Sequence, residues 1–332
     1  MSGFIAPAIA SQHEAAANLA LARRFVAAAS VRPLGGERDR NLLITATDDA
    51  HYVLKLVERQ EAEVAVPLQI AALDHIARAD PGLPVPRAVP TIDGAPLVEH
   101  GAQLAWMVNY CEGALMREVG VDTGLRNDLG AITARLVTAL ATFDHPAAVR
   151  AIDWDVRRSP AARALIAAEP DANARALAMR GLDQFAEAAA GDWSALPTQV
   201  IHGDLNPYNV IVDRSGRAIT GIIDLGDMHY GPRVADLAIA ASYQLVEGFA
   251  GARAVVAGYV SECALDPTEV EVLPLFMAAR LAMTIAITAD SAARRPAEAG
   301  YLRRNAWAAV GGLARLYAEG GGGLPRGEAF LP

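Results

Sequence analysis

The stretch IHGDLNPYNVIV, residues 201–212, sets four polar side chains between apolar runs: His202, Asp204, Asn206 and Asn209. Val200-Ile201 at its start and Val210-Ile211-Val212 at its end have the composition of short buried strands. The polar residues therefore fall on a loop pinned at both ends, with side chains held in place rather than left to solvent. Beyond Val212 the run DRSGRA (213–218) has turn composition. It leads into ITGIID (219–224), a further apolar strand that ends on Asp224 and continues as Leu225-Gly226-Asp227.

Asp204 and Asn209 are five positions apart, and Asp224 follows Asp204 by twenty. An aspartate, an asparagine at that spacing and a later strand ending in Asp-aliphatic-Gly form, slightly altered, the set that kinases direct at a γ-phosphate. The spacing has a physical reason. Moving a phosphoryl group needs a carboxylate that orients the attacking hydroxyl and accepts its proton, and oxygen ligands that hold Mg2+ against the phosphates. Asp204 suits the first task, Asn209 and Asp224 the second. Any one of them alone reads as a turn residue, because Asp and Asn dominate turns. Their order and the strand-loop-strand setting together point to a site.

The remaining sequence limits the alternatives. At 332 residues, 53% hydrophobic and 20% charged, the chain is globular in composition, with room for one large domain or two lobes. A net charge of −9 argues against a nucleic-acid partner and suits an amine-bearing ligand. Cys111 and Cys263 make no disulfide framework, in keeping with a reducing compartment. The N-terminal MSGFIAPAIASQHEAAANLALARRF lacks the basic start and unbroken apolar core of a signal peptide. LPLFMAARLAMTIAITA (273–289) carries Arg280 near its middle and reads as a buried helix rather than a membrane span. A soluble, cytoplasmic protein with no membrane partner is expected.

Residues 12–29 read as an alanine-rich helix, and 41–47 and 51–57 as strands joined at Asp48-Asp49. Gly35-Gly36 in the loop before them can bring backbone N–H groups to a phosphate, or simply make a glycine turn. A helix is expected to begin at Pro67, since proline suits the first helical position. The proline-rich stretch up to residue 110 is strand-like, with a turn at Asp93-Gly94. After Cys111-Glu112-Gly113 the pattern turns helical, at 125–142, 160–169 and 175–190, and again from Ala235 to about Glu319. Gly320–323 suggest a flexible tail. The expected architecture is α+β, with a small β-rich N-lobe (1–108), a hinge (109–113), a larger, mainly helical C-lobe (114–319) and a tail (320–332).

HGDLNPYN, followed by IIDLGD and GPRVADLA, resembles the aminoglycoside phosphotransferase / choline kinase-like superfamily, whose loop reads His-Gly-Asp where protein kinases have His-Arg-Asp. HGDLNPYNVIV…ITGIIDLGDMHYGPRVADLAIAASY is similar, more narrowly, to hydroxylysine kinases and to the kinase-like domains fused to class III aminotransferases. The likeness extends weakly to HYVLKL, NYCEG and LFMAARLAMTIA. It implies a bilobal protein-kinase-like fold and a Mg2+-dependent transfer from ATP or GTP to the hydroxyl of a small amine or amino acid, with hydroxylysine the named guess. GTP is the donor that the hydroxylysine kinases use. Choline, ethanolamine, homoserine or an aminoglycoside are alternative acceptors, and a nucleotide-binding pseudokinase is the alternative of another class.

By the same resemblance Lys55 matches the strand lysine that contacts nucleotide phosphates, and Asn109 and Cys111 sit where an interlobe hinge offers backbone groups to the base. The glutamate expected in the helix after Lys55 is replaced by Pro67, with Glu61 and Glu63 as upstream candidates. His202 is expected to brace the loop, and Asp236 to brace it from a helix start. Asn206 and Tyr208 either line the site or cap the turn. Asp227 can take a second metal, hold a substrate ammonium or cap the next element. Arg280, in so apolar a helix, needs a partner: an internal carboxylate, or the carboxylate of an amino-acid substrate.

Overall fold

The computed structural model describes residues 12–34, 39–191 and 193–332, without the side chains of Gln12, His13 and Glu61. The Gly35-Gly36 loop lies outside the described residues. The chain divides into two compact units, Met1–Glu112 and Gly113–Pro332.

In the first unit, helix α1 (Gln12–Ala22) precedes strands β1 (Ala28–Leu34), β2 (Arg40–Ala46) and β3 (His51–Glu58). Helix α2 (Arg59–Ala79) leads to β4 (Ala88–Val89), β5 (Val98–His100) and β6 (Gln103–Asn109). The strands form one antiparallel sheet in the order β1-β2-β3-β6-β4, with β5 also on β6. Alternation decides its faces. Leu42 and Ile44 of β2, Leu54 and Leu56 of β3, and Ala105 and Met107 of β6 form a core with Leu21, Ala22 and Phe25. The pleat sends Lys55 to the opposite face, in register with Trp106.

Two boundaries differ from expectation. The first helix stops at Ala22, because the residues from Ala28 onward pair as β1. α2 starts at Arg59, so Pro67 lies inside it. The Arg-Gln-Glu-Ala-Glu run ahead of the proline has enough helix propensity to carry the start, at the loss of the bond Pro67 cannot donate.

The second unit opens with β7 (Ala114–Leu115), α3 (Thr123–Leu140), α4 (Ser159–Ala162) and α5 (Ala172–Ala189). Four short strands follow: β8 (Thr198–Ile201), β9 (Val210–Val212), β10 (Ile219–Ile222) and β11 (His229–Pro232). The rest is α6 (Val234–Ser242), α7 (Phe249–Glu262), α8 (Pro267–Arg294), α9 (Ala299–Leu302) and α10 (Ala306–Glu319). β10-β9-β7 make one small sheet and β11-β8 another, so the loop 202–209 leaves one sheet and enters the other. The helix expected at 160–169 is broken into the single turn α4 and a 3-10 turn, Ile166–Ala168.

α8 is the centre of this unit. Its most apolar 18-residue window would suit a membrane by composition, yet 89% of it is buried within the protein. Phe276 meets Phe185 edge-on, ring centroids 5.4 Å apart. At its N-terminus the fully buried Glu269 accepts the N–H of Asp266 at 2.9 Å and a fork of two bonds from Arg233 at 2.8 and 2.7 Å. The 320–332 segment, expected to be a flexible tail, instead packs: Phe330 is fully buried and lies 4.8 Å from the ring of Phe249.

α3 and α7 cross where each carries a glycine. A Cβ on Gly130 would lie 1.8 Å from the carbonyl oxygen of Val255, and one on Gly258 1.9 Å from that of Asn127. Only a shift of backbone could make room. Gly258→Ala is therefore expected to cost about 1–3 kcal/mol of stability, read as a lower urea midpoint at unchanged slope. An unchanged midpoint would mean that the crossing gives way freely.

Candidate active site

The loop between β8 and β9 is fixed through its backbone. Asp236, fully buried in the first turn of α6, accepts the N–H of His202 at 2.9 Å and of Gly203 at 2.8 Å, one on each oxygen. His202, 1% exposed, takes the N–H of Asp204 on Nδ1 at 3.2 Å. That assigns the ring proton to Nε2, which faces the Ile223 carbonyl at 3.2 Å. Both residues brace the loop. Gly203 has to be glycine: its φ is 78°, and a Cβ would come within 2.7 Å of the Asp227 carbonyl oxygen and 2.9 Å of the His229 ring.

Three side chains converge on the Asp204 carboxylate. Oδ1 accepts from Asn206 Nδ2 at 2.8 Å and from the Arg280 guanidinium, and Oδ2 from Asn209 Nδ2 at 2.7 Å. The Asn209 amide also reaches the Asp204 carbonyl oxygen at 2.9 Å. With 16% of its side chain exposed, Asp204 is enclosed but reachable. Burial raises its pKa above the ordinary aspartate value; Arg280 opposes the rise, and Asp227 adds to it. A carboxyl raised in this way is a better proton acceptor than a solvated one.

Arg280 projects from α8 and is 2% exposed. Its Nε lies 3.4 Å from the Tyr243 hydroxyl, and its guanidinium carbon 4.6 Å from the centroid of the Trp154 ring. Burial alone would weaken its hold on its proton, but Tyr243 and Asp204 more than reverse this, so it stays a cation. Of the two partners the sequence left open, the guanidinium contacts an internal carboxylate, and that carboxylate is Asp204.

The hairpin brings Asp224 to the same loop. Ile222 pairs with Val210, and the N–H of Ile223 donates to the Asn209 carbonyl at 2.9 Å. Asp224 is exposed and adopts a left-handed φ of 66° while its carboxylate accepts the N–H of Gly226 at 3.3 Å. Asp49 is the other non-glycine residue with positive φ among those described, and a hairpin turn explains it. Backbone strain of this kind, of order 1–3 kcal/mol, concentrates at functional positions. Asp227 is buried in the 3-10 turn Leu225–Asp227. Arg150 clamps that turn, donating to the carbonyls of Gly226 and Met228, the latter at 2.9 Å from Nε.

These groups fit a hard cation. Asn209 spends its NH2 group on Asp204, which leaves its amide oxygen for a metal; with Asp224, which follows the Ile223 bonded to the Asn209 carbonyl, the donors are all oxygen, as Mg2+ requires. Among the described residues no three His, Cys, Asp or Glu side chains gather as a metal cluster. Mg2+ commonly takes one or two carboxylates and completes its shell with water and phosphate oxygens.

In the first unit, Lys55 Nζ lies 3.1 Å from Asp39 Oδ2 and 5.4 Å from the centre of the Trp106 ring, with 11% of its side chain exposed. Asp39, immediately before β2, is thus one acid on Lys55, and of the two upstream glutamates Glu63 pairs with Arg59 at 2.9 Å, while the Glu61 side chain lies outside the described residues. Asn109 closes β6, its Oδ1 accepting the N–H of Arg87. Burial, with Glu112 adding to it, pushes the Cys111 thiol up to about 11, so this is a packed thiol rather than a nucleophile. The structure therefore brings Asp204, Asn209, Asp224, Asp227 and Arg280 together in the second unit, and holds Lys55, Asn109 and Cys111 in the first.

The sequence profile described as "Phosphotransferase enzyme family" matches residues 30–271. The chain belongs to this family. Among curated proteins this phosphotransferase is 31% identical to the homoserine kinase of Methylobacterium sp. (strain 4-46) over 68% of each chain. It is 25% identical to the hydroxylysine kinase of Mus musculus, over 82% of its own length and 80% of the relative's. Among solved structures, amicoumacin kinase hAmiN in complex with AMP-PNP, Ca2+ and Ami superposes with a TM-score of 0.66 at 16% identity, covering 87% of this chain and 92% of that one. That likeness shows the fold, α+β and protein-kinase-like, with a β-rich N-terminal part and a larger helical C-terminal part. The phosphotransferase is a small-molecule kinase with an alcohol group as acceptor and a nucleotide as co-substrate.

Proposed function

We propose that this kinase transfers the γ-phosphoryl group of ATP or GTP, with Mg2+, to the hydroxyl of a small amine or amino acid of the hydroxylysine kind. The observation that carries the reading is the enclosed Asp204 carboxylate, oriented by Asn206 and Asn209 and raised in pKa by burial. In the reaction the acceptor hydroxyl gives its proton to Asp204, its oxygen bonds to the γ-phosphorus, and the bond to the β-phosphate oxygen breaks. Asn209 and Asp224 would hold Mg2+, whose charge offsets that of the phosphates. Lys55 is assigned to the nucleotide phosphates, the backbone of Asn109 and Cys111 to the base, and Asp227 to the substrate ammonium. Homoserine is the second acceptor to consider, on the likeness to homoserine kinase.

The test is nucleoside-diphosphate release, crossing ATP and GTP with hydroxylysine, homoserine, ethanolamine, choline and kanamycin. Turnover is expected with an amino acid, and is expected to vanish on chelation of divalent cations. In Asp224→Ala it should drop by roughly a hundredfold or more. Mg2+-dependent nucleotide binding with no release to any acceptor would replace the reading by a pseudokinase.

A further inference from the structure

The segment 150–157, between α3 and α4, holds the turn that carries Asp224 and Asp227 by its backbone. Arg150 donates to the carbonyls of Gly226 and Met228, and Arg157 Nη2 to that of Tyr230 at 2.6 Å. The Asp227 carbonyl is reached by His229, whose Nδ1 lies 2.9 Å from it. A carbonyl oxygen only accepts, so Nδ1 carries the ring proton. Nε2 then faces Asp155 Oδ1 at 3.5 Å. The carbonyls of Gly226, Asp227, Met228 and Tyr230 are thus held, directly or through His229, from one short segment. The same segment reaches the base: the Trp154 ring lies 4.6 Å from the guanidinium carbon of Arg280, which pairs with Asp204.

His229 and Asp155 are buried, at 2% and 5% exposure. His229 stands where the two loops meet. It pairs with Ile201, the last residue of β8 before the base loop, and opens β11, which follows the Asp224–Asp227 turn. Its Cε1 would lie 2.9 Å from a Cβ on Gly203, so the ring packs closely against the residue next to the base. A tilt of the ring therefore bears on Gly203 and on the Asp227 carbonyl together. Asp155 is itself fixed: Oδ1 accepts the backbone N–H of Arg157 at 2.9 Å, and Oδ2 accepts from its Nε and Nη2 at 3.1 and 2.8 Å. Burial would raise the Asp155 carboxyl, but His229 and Arg157 outweigh it and hold the group well below the ordinary range, so it stays ionised. A buried ion pair is often no more stabilising than apolar packing of the same volume. This one is aimed at the backbone of the turn that carries Asp224 and Asp227.

We infer that Asp155, acting through His229, is a positioning residue for phosphoryl transfer: it keeps the Asp224–Asp227 turn aligned with the loop that carries Asp204. The inference rests on the kinase reading above. It is tested by steady-state kinetics with whichever of hydroxylysine, homoserine, ethanolamine, choline and kanamycin the parent enzyme turns over, scored per folded molecule with the folded fraction read by urea unfolding. Asp155→Asn keeps the volume of the side chain but not its charge. It should lower kcat roughly 10- to 100-fold and leave KM for acceptor and nucleotide within about threefold. His229→Asn can still offer an amide N–H near the Nδ1 position, so it should lose less than His229→Ala. Adding Asp155→Asn to His229→Ala should cost little more, because Asp155 then has no ring to hold. Arg157→Gln, at an exposed position, loosens the same carboxylate; it should lower kcat in the same direction, and serves where Asp155→Asn does not fold. Parent-like kcat in the folded variants would leave the pair a stabilising contact only and overturn the inference. A raised KM at unchanged kcat, or losses that multiply in the double variant, would overturn it too. Absence of turnover by the parent enzyme with every acceptor would overturn the kinase reading, and this inference with it.

Discussion

Asp204→Asn is expected to lower turnover by roughly 10²- to 10⁴-fold, the contribution of a positioned general base, while nucleotide affinity stays within a few-fold. The substitution keeps the shape of the side chain and an oxygen to accept from Asn206 and Arg280, but removes the capacity to take a proton. The loop should hold its course, because it is secured elsewhere: by Asp236 on the N–H groups of His202 and Gly203, and by His202 on that of Asp204. Diphosphate release with a saturating acceptor, alongside a titration of nucleotide binding, separates the two effects. Activity within tenfold of the parent enzyme would remove Asp204 from the role of base and leave the carboxylate as a positioning group.

How much of this site can be read in the sequence follows from how far apart its partners lie along the chain. The loop and the hairpin were legible because Asp204, Asn209 and Asp224 fall within one short run of strands and turns, where apolar flanks and turn residues report the local path. Lys55 was legible as the odd residue in the alternation of β3, but its partner was not. Acids were sought only in the following helix, whereas the structure also sets Asp39, just before β2, at 3.1 Å from the amine. Pro67 misplaced the start of α2 because a preference for the first helical position gave way to the propensity of the residues ahead of it. Arg280 meets Asp204 across 76 positions, and Arg150 meets the Met228 carbonyl across 78. Periodicity predicts the element on which such residues sit and that a buried charge needs a partner, but the packing of α8 chooses which one. The burial of Phe330 beyond a run of glycines has the same cause, since an apolar site on α7 was there to receive it.

The pairing of Arg280 with the base makes Arg280→Met the second large effect, on stability and on pH dependence together. Asp204 already sits above its ordinary pKa through burial, and Arg280 is the strongest influence pulling it back. Without the guanidinium the carboxyl should rise further. The base acts in its ionised form, so the acid limb of the kcat/KM profile should move to higher pH. A carboxyl whose pKa is higher folded than unfolded favours the fold below its unfolded pKa, and that contribution is lost as pH rises through the folded pKa. Arg280→Met should therefore be least stable at neutral pH and above, where the carboxylate is charged and buried without its cation, by roughly 3–5 kcal/mol. Acidification should return part of the loss. Adding Asp204→Asn should return much of it at any pH, since the amide carries no charge to strand. Urea unfolding of both variants at acid and at neutral pH decides the matter. If Arg280→Met lost the same stability at both, and the double variant were no better than the single one, the loss would be one of packing against Trp154 and Tyr243. Arg280 would then have no part in setting the protonation of the base.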